Sequence, residues 1–93
     1  MDAKIMNAFD EAFKVVEANI LTSDFDEVCD KISNLARDLW FNHEAISFEE
    51  LSDINHKIFK LRCRRMDTEF NIRSAFNRAG IDVDQLRAAL ANA

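Results

Sequence analysis

Ninety-three residues carrying a formal net charge of −5, nearly half of them apolar and including eight Phe and one Trp, suffice for a single hydrophobic core and are too apolar for a disordered chain. With no Pro, no Tyr and one Gly, the chain lacks the usual turn-formers of β-hairpins, so its composition points to one all-α domain, residues 1–93. No stretch approaches the roughly 18 apolar residues of a membrane span, and the opening MDAKIMNAFDEAF carries acids where a signal peptide needs bases, so a cytoplasmic protein is expected.

In chain order, the first helix is expected over about residues 3–21. Ile5, Phe9, Ala12, Phe13, Val16 and Ile20 recur at steps of three, four and seven on one face, the helical period of an apolar stripe. TSDFDE then stops and restarts the chain. Ser23 or Asp24 can accept free N–H groups of a new helix, and Asp26 and Glu27 suit the positive end of its dipole. The second helix, about 24–42, presents Phe25, Val28, Cys29, Ile32, Leu35, Ala36, Leu39 and Trp40 on one face. Phe41 falls off that stripe, in line with Asn34, Arg37 and Asp38, which makes it a candidate contact residue.

ISFEEL carries the clearest boundary. Ser47 and Glu50 have the spacing of a reciprocal capping box, and Ile46 and Leu51 that of a hydrophobic staple, so a helix begins at Phe48. A continuous helix to residue 79 would be about 48 Å long at 1.5 Å per residue. Asp67 or Thr68 offers an internal cap, so the spacing predicts two helices, about 48–66 and 68–79. A last helix, about 83–91, repeats the device with Asp82 as cap, Gln85 reaching back and Ile81 against Leu86. Gly80 just before it has the character of a left-handed helix end. The expectation is a compact bundle of four to five helices.

Helix three has more apolar surface than one packing face requires. Leu51, Ile54, Ile58 and Leu61 form one stripe; Phe48, Phe59, Cys63, Met66 and Phe70 form another beside it. Helix three is therefore either central and covered on two sides, or placed at an oligomer seam. Cys29 and Cys63 both sit on apolar stripes, where burial as free thiols is expected. Neither they nor His43 and His56 have the spacing of a metal cluster, so no metal and no cofactor is expected.

Charge is unevenly divided. Residues 1–55 hold thirteen acids against four bases, and residues 56–80 hold seven bases against two acids. HKIFKLRCRR concentrates the positive charge, and Lys60 and Arg64 are like charges at i,i+4, which repel. Either acids of helices one and two compensate the block, or a partner does. Lys57, Lys60, Arg62, Arg64, Arg65 and Phe41 are the candidate partner-binding residues, with a protein favoured over nucleic acid because the acidic remainder repels phosphate.

RDLWFNH places Arg37 six residues before His43 and resembles the R-x4–6-H signature of HEPN-type ribonucleases. That resemblance implies metal-independent RNA cleavage by Arg37 and His43. NIRSAFNRAGIDVDQLRAAL resembles a helix-turn-helix, which implies a DNA-binding regulator reading bases with Gln85 and Arg87. The profile as a whole, small, acidic, helical and without catalytic residues, is similar to inhibitors carried by phages and plasmids, such as anti-CRISPR and bacteriocin immunity proteins. The leading expectation is a non-enzymatic protein-binding module, an inhibitor or adaptor that occupies a partner's surface, with a nucleic-acid-processing complex as one kind of target and a homo-oligomer as another arrangement.

Overall fold

In a computed structural model, which describes residues 3–92, the chain is all-helical. Four helices follow one another: α1 (Ala3–Ala18), α2 (Phe25–Phe41), α3 (Phe48–Arg78) and α4 (Val83–Ala91). No strand occurs among the described residues. None of the helices is long and apolar enough to cross a membrane. The contacts gather into two compact units, one ending at Cys63 and the other beginning at Arg64.

The first unit holds the core. Phe9, Phe13 and Val16 of α1, Phe25, Cys29, Ile32 and Ala36 of α2, Ile46 of the link, and Leu51, Ile54, Ile58 and Leu61 of α3 are buried together. Ile5, Ala12, Ile20, Val28, Leu39 and Trp40 pack against them partly buried. Each helix thus turns one apolar stripe inward, as its period dictates. Leu35 is the exception on α2 and stays 52% exposed. Side-chain contacts fix the pairing of α2 with α3: Trp40 meets Phe48, Ser33 donates to Asn55 and Arg62 reaches Asp30. Later α3 residues meet earlier α2 residues, so the two helices run antiparallel.

Local chemistry sets the helix ends. α1 stops at Ala18, three residues short of the expected Leu21. The Asn19 amide side chain donates to the Val15 carbonyl and its N–H bonds Val16 in a tighter turn, an example of a short polar side chain competing with the helical ladder. Asp24 is the N-cap of α2 but makes no side-chain cap hydrogen bond. At α3 the capping box forms in both directions: the Ser47 N–H donates to Glu50 Oε1 at 3.0 Å, and the Glu50 N–H donates to Ser47 Oγ at 3.1 Å. Between α2 and α3, Glu44 adopts φ +49°, a left-handed conformation that costs an ordinary residue about 1–2 kcal/mol.

The expected division near Asp67 is not present; α3 runs on to Arg78. The Thr68 hydroxyl does not cap a new helix but donates back to the Arg64 carbonyl at 2.8 Å, and Arg65 pairs with Glu69 one turn on at 3.4 Å. Both contacts belong to an uninterrupted helix.

The second unit is a helix–turn–helix corner. Its turn follows the Schellman pattern, with Gly80 at φ +78°, its N–H bonded to Asn77 and the Ile81 N–H bonded to Phe76. The Asp82 carboxylate accepts from the N–H groups of Asp84 and Gln85, and Arg73 holds Asp84 through both guanidinium Nη atoms at 3.2 and 3.4 Å. None of its described residues is buried. Met66, Phe70, Leu86 and Leu90 lie in the open, Met66 and Phe70 at 69% exposure. A segment this short without a buried core has little to hold it beyond capping and the ion pairs Arg65–Glu69 and Arg73–Asp84.

Two predictions follow from these contacts. Hydrogen exchange should find amides of α4 exchanging close to the free-peptide rate while those of Ile32, Ala36, Ile54 and Ile58 remain protected; comparable protection in both places would contradict the assignment of all burial to the first unit. The hydrogen bond from the Ser47 N–H holds the Glu50 carboxyl below its ordinary value of 4.5. Its stabilisation is therefore present above that value and lost as pH falls through the lower folded-state value. An NMR titration should place Glu50 below 4.5, and Ser47→Pro, which removes the largest cause of the shift, should raise it toward that value.

Candidate functional site

The basic block divides between the two units, and its members have different surroundings. In the first unit Lys57 Nζ lies 5.5 Å from the centroid of the Phe13 ring, an attraction of the cation to the ring face. Arg62, expected to face a partner, folds back on α2 instead. Its Nη2 donates to Asp30 Oδ1 at 2.8 Å and its Nε lies 3.9 Å from Asp26 Oδ1. The Asp30 hydrogen bond, more than any other contact, pushes the Arg62 pKa up. Lys60 is exposed and makes no ion pair with a described residue. In the second unit Arg65 pairs with Glu69, and Arg64 is exposed, making no ion pair with a described residue. Part of the cationic block is thus compensated by acids of the chain itself.

Cys63, expected to be buried, is exposed, whereas Cys29 is fully buried. The stripe that contains Cys63 is the one α3 leaves uncovered: Phe48 is 64% and Phe59 63% exposed. Burial pushes the Cys29 thiol above its ordinary pKa of 9.0, against an opposing pull from Arg62. No group of three or more His, Cys, Asp or Glu among the described residues is arranged to hold a metal ion.

A groove of about 410 Å³ lies at the end of α2 in the first unit, lined by Asn34, Arg37, Asp38, Trp40, Phe41 and Asn42. Helical periodicity brings Asn34, Arg37, Asp38, Phe41 and Asn42 to one side of α2, at steps of three and four. Trp40 is half-buried against the core. Its ring meets Phe41 at a centroid distance of 6.1 Å, tilted by 53°, and Phe48 at 5.7 Å in an edge-on arrangement at 60°. Such geometry is favourable for aromatic pairs, by about 0.5–1.5 kcal/mol each. Phe41 nevertheless remains 74% exposed.

The charges along this groove differ in their commitments. Asp38 accepts a hydrogen bond from the Asn42 side chain, and its other carboxylate oxygen lies 3.4 Å from His43 Nε2. Arg37 is exposed and makes no ion pair or hydrogen bond with a described residue. His43 is not among the residues lining the groove that Arg37 lines. In the second unit, Asp82 and Asp84 are occupied by capping and by Arg73, while Gln85 and Arg87 are exposed.

Sequence reasoning singled out Phe41 but assigned Trp40 to the core and Phe48 to the helix-three stripe. What joins the three is the capping box, which starts α3 at Phe48 and so sets that ring beside the end of α2. No protein-family model matches this chain, nor does any curated protein or any solved structure.

The two thiols provide a check on this description. A disulfide-exchange reagent at neutral pH should titrate one equivalent quickly, removed by Cys63→Ser, and a second only on unfolding. Rapid reaction of two equivalents in the native protein would place Cys29 at the surface.

Proposed function

We propose that this chain is a small helical protein-binding module that acts by occupying a partner's surface, as an inhibitor or an adaptor. The observation that carries the reading is the cluster of Trp40, Phe41 and Phe48, with Phe41 and Phe48 more than 60% exposed although the same unit closes a core of twelve buried side chains. Clustered aromatic side chains open to solvent are costly to leave uncovered and are enriched among the anchors of protein interfaces. The exposed positions do not fill gaps in the fold; they remain after its packing is complete.

A second reading, an oligomer seam along α3, draws on the exposure of Phe59 and Cys63. It differs from the first in supplying the partner from the same chain. The ribonuclease reading gains nothing from His43, whose Nε2 lies 3.4 Å from Asp38 Oδ2 and which does not line this groove. The DNA-binding reading gains nothing from Asp84, whose carboxylate is already matched by Arg73.

Affinity capture with the wild type and with Phe41→Glu/Phe48→Glu tests the proposal. Both residues are exposed, so the variant should retain the helical circular-dichroism spectrum. A partner recovered by the wild type is expected to be lost, with affinity down by a factor of ten or more. Equal recovery by a variant of unchanged fold would refute a role for the cluster. A wild-type dimer in light scattering that becomes a monomer in the variant would instead favour the homomeric reading.

A further inference from the structure

Resting on that reading, we propose that the groove beside Trp40 receives a large apolar side chain from a partner protein and that Arg37 binds a carboxylate adjacent to it in the partner's sequence. The occupant is a mainly apolar segment with one acidic residue. The argument begins with what the groove leaves unmatched. Its apolar wall is Trp40 and Phe41, the latter 74% exposed. Its two charges are unequal: Asp38 is engaged by Asn42 and approached by His43, while Arg37 has no partner among the described residues. Both charges are present, and the one left without a hydrogen-bonding or ion-pair partner among the described residues is the Arg37 guanidinium.

A guanidinium offers a planar fork of donors that matches a carboxylate through two parallel hydrogen bonds. Asn34, one turn before Arg37 on the same wall, adds an amide that can hydrogen-bond the backbone of an extended segment. The volume of about 410 Å³ falls at the small end of the range for ligand-binding clefts, about 300–1,000 Å³. It admits one or two side chains and not the whole face of a helix.

Charge beyond the groove narrows the occupant further. Residues 1–63 contain thirteen acids and seven bases, a net −6. A phosphate, carrying close to two charges, or a run of acids meets this field at greater cost than a single carboxylate does. One acid placed on Arg37 keeps the attraction short-range, within the roughly 8 Å over which physiological salt leaves charges unscreened. The apolar wall then supplies the contact that salt does not weaken.

Trp40 is the only tryptophan and stands in the groove wall, so its fluorescence reports occupancy directly. The full chain is titrated with acetyl-Glu-Phe-Leu-amide and with acetyl-Lys-Phe-Leu-amide. The wild type should give a saturable change with the glutamyl peptide and bind it about fivefold more tightly than the lysyl peptide. Arg37→Glu, at an exposed position without a partner among the described residues, should keep the fold and reverse that preference. Phe41→Ala should weaken both peptides. Absence of a saturable change, equal affinities, a preference for the lysyl peptide, or a preference that survives Arg37→Glu would each overturn the inference. So would a saturable signal from adenosine 5′-monophosphate with none from either peptide, which would assign the groove to a nucleotide. If capture of a partner is lost in Phe41→Glu/Phe48→Glu while the peptides show no preference, the protein-binding reading stands and this inference falls; unchanged capture removes the reading itself.

Discussion

The arrangement depends on one stripe of α3. Leu51, Ile54, Ile58 and Leu61 are the buried positions of that helix, and α1 and α2 bring their own stripes to the core they complete. An α-helix presents a stripe only a little over 100° wide to a single packing layer. Once those four side chains are covered, the residues about a third of a turn away are left outside. Phe48, Phe59 and Cys63 are in that position. Their exposure follows from helical geometry together with the number of neighbours the chain supplies, and it needs no local distortion. Every large apolar residue on the uncovered side of α3 in this unit is consequently available to something other than this core.

The capping box determines where that availability is concentrated. Ser47 and Glu50 exchange two hydrogen bonds and start α3 at Phe48 with Ile46 buried just before it. Because α2 and α3 run antiparallel, the first residue of α3 comes beside the last turn of α2, where Trp40 and Phe41 lie. Had α3 begun a residue later, the Phe48 ring would have turned about 100° away. A local interaction of modest energy thus organises an aromatic surface whose members are distributed over two helices. Glu44, in its left-handed conformation, makes the reversal possible in the short link between them, at a conformational cost that the packing of Ile46 and Leu51 helps to offset.

Most of the helix boundaries were legible because capping chemistry is local. Ser47, Asp82 and Gly80 act within a few residues of themselves, and their roles can be read from spacing alone. The core-facing stripes of α1 and of the first part of α3 were legible for a related reason, since periodicity assigns residues to faces. Periodicity does not say whether a face is covered. That is why Cys63 and Leu35 were expected inside and lie outside, and why Trp40 was placed in the core without the exposed rings on either side of it. The continuity of α3 was obscured by Thr68, whose hydroxyl can cap a new helix or bond back along an existing one. The choice rests on backbone conformation, which the residue type leaves open. The site was half visible: the groove line of Asn34, Arg37, Asp38 and Phe41 follows from sequence, but Phe48, which packs on Trp40 beside the groove, arrives from a separate helix.

The cationic block illustrates why charge in sequence is a poor guide to charge at a surface. Arg62 looks like the centre of a binding patch until its guanidinium is found against Asp30, and the exposed Lys57 has its Nζ 5.5 Å from the centre of the Phe13 ring. Exposed ion pairs of this kind contribute only about 0.2–1 kcal/mol each, yet they remove both charges from the set a partner can use. Arg37 was read from sequence as half of the R-x5-H spacing and not as part of the cationic block, since it lies in the acidic part of the chain, and it makes no ion pair or hydrogen bond with a described residue. On the proposed reading, approach and recognition are then governed by different groups. The net negative field of the first unit acts over distance and selects against highly anionic partners. At contact, where screening no longer hides single charges, Arg37 and the aromatic rings beside it decide what fits. A partner must satisfy both conditions, and that combination is more selective than either the field or the groove would be alone.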